Sequence, residues 1–169
     1  MSGSSATLGR RALAVLAAAA LPLSLAHAGD PPKLKEGLWA IHGESLERPG
    51  DRTTQFDYKL CRNHAYDKAA NAKVKDAPGC RTIVKDSGGG KFEAASACTA
   101  ASTKIISNGT TTYLSDSAMH SETHATYTPP LRGKTEETMT QDQQYIGVCP
   151  ANMKPGDVLF PDGIVRHPD

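Results

Sequence analysis

Thr53-Thr54-Gln55-Phe56-Asp57-Tyr58-Lys59-Leu60-Cys61 alternates along most of its length. Phe56, Tyr58 and Leu60 fall on one side and Gln55, Asp57 and Lys59 on the other. A period of two with one apolar side marks a half-buried strand. Upstream, Arg48-Pro49-Gly50-Asp51 is a turn cluster, and Gly37 to Leu46 begins a first strand with Leu38 and Trp39 as its bulky start. Downstream the character shifts. Arg62 to Lys73 holds Ala65, Lys68, Ala69, Ala70 and Ala72 with no Gly or Pro, and Asn63 is placed to cap it. A short helix is expected there, ending before Pro78-Gly79.

From Cys80 onward the pattern is that of a meander. Cys80 to Lys85 and Lys91 to Thr99 flank a turn at Ser87-Gly88-Gly89-Gly90. Thr103 to Ser107 then meets Asn108-Gly109, a two-residue hairpin signal. Thr110 to Ser117 and Ala118 to Thr128 are Thr/Ser-rich extended segments ended by Pro129-Pro130. Arg132-Gly133-Lys134 turns into Thr135 to Val148. Polar residues on both faces of the middle strands suit a sheet with one solvated side better than a sealed sandwich. The fold expected is mainly β: a single curved antiparallel meander or partly open barrel, with one short helix and two disulfides.

The chain begins with a three-part export pattern. Arg10 and Arg11 precede an apolar run from Ala12 to Leu21, and Ala26-His27-Ala28 offers small residues to a signal peptidase. The run is shorter than the roughly 20 residues a bilayer span needs. Residues 1–28 are therefore read as a signal peptide cut after Ala28, 29–36 as a flexible leader, 37–150 as the β domain and 151–169 as a loop-like tail. The working protein is therefore expected to fold outside the cytoplasm. Without Arg10 and Arg11 the remaining chain has 17 Lys+Arg against 18 Asp+Glu. Such a near-neutral domain has no charge excess to attract nucleic acid, and no second apolar stretch is long enough to span a membrane.

Cys61, Cys80, Cys98 and Cys149 all follow the cleavage position. An even count in an exported chain reads as two disulfides with three connectivities open, and the pairing of sequence neighbours, Cys61–Cys80 and Cys98–Cys149, is the one expected. With one Trp and three Phe, the core should be modest and the bridges correspondingly valuable. Trp39, Phe56, Tyr58 and Tyr66 are expected mainly as core.

Chemistry-bearing patterns are sparse. His120-Ser121-Glu122-Thr123-His124 would put His120, Glu122 and His124 on one strand face, a donor set suited to Zn²⁺ or Cu²⁺. The outer pair would lie about 13 Å apart, too far for one ion. Adjacent pairs would need help from His42 or His64, and a solvated polar face is the preferred explanation of the pattern. Glu136 and Glu137 face opposite ways on a strand and form no dyad. No nucleophile elbow, S-x-x-K or H-E-x-x-H motif occurs, and Gly88-Gly89-Gly90-Lys91 lacks the spacing of a phosphate loop. No cofactor is expected.

Gly37-Leu38-Trp39 after a Pro/Lys leader, a Cys followed by a short helix, two further Cys around a hairpin, and Gly147-Val148-Cys149-Pro150 together resemble one family. So does the ending Met153-Lys154-Pro155-Gly156-Asp157 with Pro161-Asp162-Gly163. It is an uncharacterised family of small exported bacterial proteins sharing a domain of unknown function. The resemblance implies a periplasmic location and carries no activity, ligand or catalytic residue. Members often have Met-rich runs after the first strand, where this chain has Glu47-Arg48-Pro49-Gly50-Asp51-Arg52. The expected function is non-enzymatic binding of a small molecule or an envelope-protein partner. Metal binding through His120, Glu122 and His124 is the alternative, and a hydrolase whose site is not visible in sequence is a further one.

Overall fold

The structure, a computed structural model, describes residues 31–167. The expected signal peptide and the first two residues of the expected leader lie outside the described residues. The order is β1 (Gly37–Arg48), β2 (Arg52–Arg62), α1 (His64–Lys75), β3 (Cys80–Gly88), β4 (Lys91–Ala100), β5 (Thr103–Ser115), β6 (Ala118–Leu131), β7 (Lys134–Gly147), β8 (Val158–Leu159) and β9 (Val165–Arg166). All strands join one open antiparallel sheet in the order β3-β4-β5-β6-β7-β1-β2-β8-β9. The meander from β3 to β7 comes to β1 at its far side, so the first strand lies inside the sheet with β7 and β2 as neighbours. Among the described residues no helix is long and apolar enough to cross a membrane.

Helix α1 is the only connection between β2 and β3, which have five strands between them. Asn63 caps it as expected, its side chain accepting from the Tyr66 N–H at 2.8 Å. The helix buries no residue. It is tied to the sheet by Arg62 Nε donating to Asp67 at 2.9 Å and by Thr82 Oγ1 donating to the Val74 carbonyl at 3.4 Å. Its contribution is connectivity rather than core.

That crossover explains why the expected cysteine pairing is wrong. The bridges are Cys61–Cys149 and Cys80–Cys98. Cys61 and Cys80 are neighbours in sequence, but α1 carries the chain from one region of the sheet to its opposite edge. Cys80 instead lies directly across from Cys98 in the β3–β4 register. Cys61 and Cys149 meet because Leu38 of β1 pairs with Cys61 on one side and Gly147 on the other.

The Asn108-Gly109 turn is likewise corrected. Both residues sit in the middle of β5, with Ala95 and Ala94 on one side and His124 and Thr123 on the other. A type I′ turn needs φ above zero at both central residues, and neither has it. The turn that does form falls at Ala101, where φ is 51°. The ladder hydrogen bonds of a central strand outweigh the local preference.

The two faces differ in burial. The inner face carries Trp39 and Ile41 of β1, Met119 and Ala125 of β6 and Phe92 of β4, all buried. Here Leu34, Trp39 and Met119 form a cluster with Tyr113 and Tyr145 against it. Arg62 lies 4.9 Å over the Trp39 ring. Trp39 Nε1 donates to the Lys35 carbonyl at 2.9 Å, so Leu34 and Lys35 of the leader are docked. On the outer face a second cluster joins Leu38, Cys61 and Met153, with Cys149, Leu159 and Val165 packed on it. The tail thus contributes to the core through β8 and β9, held at the β2 edge by the register Lys59↔Leu159 and Leu60↔Val158.

Candidate functional site

Three strand pairings bring acids and histidines into one row on the outer face. His42 lies opposite Asp57 across β1–β2 and opposite Asp142 across β1–β7, while Asp142 also lies opposite His120 across β7–β6. The result is Asp57, His42, Asp142, His120 in order over four adjacent strands, a line about 14 Å wide at the usual strand spacing. His42 Nδ1 donates to Asp57 Oδ1 at 2.6 Å, and His120 Nδ1 donates to Asp142 Oδ1 at 2.7 Å. An ionised carboxylate only accepts, so each Nδ1 carries the proton and each neutral ring keeps Nε2 as its acceptor. The Asp57 hydrogen bond and charge raise the His42 pKa above its ordinary value, against desolvation, with the charges of Asp142 and Glu44 adding less.

The tail turns this row into a recess. A cleft of about 690 Å³ is bounded by His42, Asp57, Lys59 and Asp142 of the row region, by Leu114 and Ala118 at the β5–β6 end, and by Leu159, Phe160 and Pro161 of the tail. Phe160 is fixed by Tyr58, with ring centroids 6.4 Å apart, and by Arg166 at 4.9 Å. The tail itself is anchored by Asp157. This buried carboxylate accepts from the Lys154 N–H at 2.7 Å and from His167 Nδ1 at 2.6 Å, while its carbonyl accepts from the Cys61 N–H. Burial pushes the Asp157 pKa up, but the Lys154 and His167 interactions prevail and hold it below the usual range.

His120, Glu122 and His124 share the outer face of β6, and the structure distributes them rather than gathering them. His120 belongs to the row, through Asp142. Glu122 and His124 line a second, shallower depression of about 510 Å³ with Ile83, Lys85 and Glu93 around a floor of Ala94, Ala95 and Gly109. His124 Nε2 is 3.7 Å from Glu136. Among the described residues no group of three His, Cys, Asp or Glu is placed to hold a metal ion. His64 is elsewhere, its Nε2 2.9 Å from the Leu34 carbonyl. No Ser, Thr or Cys side chain hydrogen-bonds a histidine among the described residues.

Glu136 and Glu137 do face opposite ways. Glu137 points inward and accepts from Ser45 Oγ at 2.7 Å, Tyr127 OH at 2.7 Å and Lys134 Nζ at 2.8 Å. Lys134 also reaches Glu47 at 3.2 Å, and Glu47 pairs with Arg52. Burial alone would push the Glu137 pKa up, but its donors and the Lys134 charge hold it down at about 2. Tyr127 is pushed up to about 12, by burial first and then by Glu137. Every member is satisfied, so this is a structural lock at the far end of β1 rather than a reactive centre.

The sequence reading missed Asp57 and Asp142 as site residues, and named His42 only as an auxiliary metal ligand, because the partners His42–Asp57 and His120–Asp142 lie 15 and 22 residues apart with no local motif. One signal was present. A four-residue turn at Arg48–Asp51 pairs Glu47 with Arg52, and counting outward from it sets His42 opposite Asp57.

The family model described as "Protein of unknown function (DUF3617)" matches residues 34–149. No curated protein matches the chain.

Proposed function

The chain belongs to the DUF3617 family, and we propose that it is a non-enzymatic, periplasmic binding domain whose ligand site is the cleft between the Asp57–His42–Asp142–His120 row and the tail. The observation that carries the reading is the cleft itself. It combines apolar side chains at its two ends, Leu114 and Leu159, with a few fixed polar groups, the general make-up of small-molecule sites. Among the described residues no Ser, Thr or Cys side chain hydrogen-bonds His42 or His120, so their dyads orient imidazoles without a hydrogen-bonded nucleophile to activate. Export is supported by Arg10-Arg11, the Ala12–Leu21 run and Ala26-His27-Ala28, and by two disulfides, which persist in oxidising compartments.

Thermal-shift screening against small amphipathic molecules, followed by calorimetry, tests the binding reading. A hit should weaken when Leu114 is replaced by Ser, because that removes an apolar end of the cleft. Binding unaffected by Leu114→Ser would move the site elsewhere. Fractionation with N-terminal sequencing tests export, with Gly29 expected as the first residue.

Metal binding is the second reading. It is favoured by the His120–Asp142 pair, since a carboxylate on Nδ1 fixes the tautomer and raises the basicity of the Nε2 that a metal would take. Glu122 and His124 would then have to rearrange towards His120. Elemental analysis of untagged protein decides it, and substoichiometric metal would end this reading.

A further inference from the structure

The cleft's charged groups are unevenly distributed. Asp57 and Asp142 line it with His42 between them, and Lys59 is the cation among its lining residues. Glu44 stands on the same outer face one step further along β1, opposite Gln55. His120, bonded to Asp142, is the remaining titratable group in the row. When both imidazoles are neutral, Asp57 and Asp142 outweigh Lys59. The apolar walls stand at the two ends of the recess, Leu114 at the β5–β6 end and Leu159 of the tail at the β2 end. The imidazole of His42 reports the local field: Asp57, Asp142 and Glu44 all favour its protonated form. A positive charge placed beside His42 meets that same field, and an attached alkyl or aryl group meets an apolar end.

We infer that the cleft selects an organic ammonium ion carrying an apolar group. The inference rests on the binding reading above and adds to it the sign of the ligand's charge. One carboxylate, Asp57 or Asp142, receives the ammonium N–H groups on an oxygen its histidine leaves free, and the other adds its field from two strands away. Acidic pH opposes binding, because protonated His42 offsets the charge of the row; the ammonium and the imidazolium protons compete for the same carboxylates.

Calorimetry with octylammonium chloride, octanol and sodium octanoate separates the two layers. All three share one chain and differ in head charge. With NMR shifts locating the contact at His42 and Leu114, octylammonium should bind roughly fivefold or more tighter than octanol, the ratio of about one surface charge pair. Octanoate should bind more weakly than octanol. The ammonium preference should shrink between pH 8 and pH 5.5 and disappear in Asp57→Asn/Asp142→Asn. Asp57 and Asp142 side chains are 59% and 69% exposed, so this variant is expected to fold normally. Octanoate binding as tightly as octylammonium, or an ammonium preference surviving the double substitution, overturns the charge inference and leaves the binding reading standing. If none of the three perturbs His42 or Leu114, both fall.

Discussion

Replacing Glu137 by Gln tests the inner-face lock quantitatively. In the folded protein Ser45, Tyr127 and Lys134 hold this carboxyl at about 2, against 4.5 for an ordinary one. A depressed pKa means that the unfolded chain takes up the proton first as pH falls. The stabilisation is therefore complete above pH 4.5 and is lost on the way down to about pH 2. At about 1.36 kcal/mol per pH unit the full shift corresponds to about 3.4 kcal/mol. About a fifth of the side chain meets solvent, which discounts the figure to about 2–3 kcal/mol. Of the full value, about 2 kcal/mol is gone by pH 3. Glu137→Gln should thus lower the urea-unfolding free energy by about 2–3 kcal/mol at pH 7 and by about 1 kcal/mol at pH 3. In the same variant the Tyr127 phenol should ionise below its present value of about 12, read by ultraviolet titration. A gap between variant and wild type that stays constant from pH 7 to pH 3 would refute the reasoning.

Gly43→Ala should cost about 1–3 kcal/mol, because a Cβ there would stand 2.3 Å from the Phe56 ring and 2.8 Å from the Thr140 carbonyl; thermal melts measure it, and an unchanged melt would mean Phe56 moves aside freely. Cys61→Ser/Cys149→Ser should destabilise by about 4.5 kcal/mol and Cys80→Ser/Cys98→Ser by about 3 kcal/mol, following their separations of 88 and 18 residues. Equal losses in denaturant unfolding would contradict the loop-length account, and non-reducing peptide mapping checks the pairing itself. His167→Ala should speed amide exchange at Leu159 and Val165 while leaving β5 protected, since it removes the partner of Asp157 that ties the tail down. With the Asp157 pKa lowered, the wild-type tail should loosen as the pH falls through the folded-state value; a tail that loosens only towards high pH would reverse the assigned sign.

Much of the strand pattern was legible in the sequence. The alternation at Phe56, Tyr58 and Leu60 marked the buried side of β2, and each of those residues is half-buried while Gln55, Asp57 and Lys59 are exposed. The Asn63 cap began α1 as read. These are local signals, in which side-chain period and capping chemistry act over a few residues. Where a local preference competed with a ladder it lost, as Asn108-Gly109 shows. The family membership expected from the motifs is shown by the match to residues 34–149.

The site was legible only in part. Sequence placed His120, Glu122 and His124 on one strand face, and the arc from Glu47–Arg52 contained the His42–Asp57 pair. The rest depends on distant pairings. In β6–β7 the turn sets Leu131 opposite Lys134, a register that would put His120 opposite Tyr145. The irregularity between Thr126 and Leu131, around Pro129-Pro130, shifts it so that His120 meets Asp142. Proline cannot donate to the ladder, so the break falls there, but its size is not written in the local sequence. The joining of β7 to β1, which completes the row and also brings Cys149 to Cys61, is a contact across about a hundred residues. The sequence by itself determined the long strands apart from an unbroken β5, their polar and apolar sides and the helix start, while β8 and β9 fell in a tail read as loop. Only the tertiary structure decided which polar sides lie next to one another, because strand order is a choice among long-range pairings that no local period encodes.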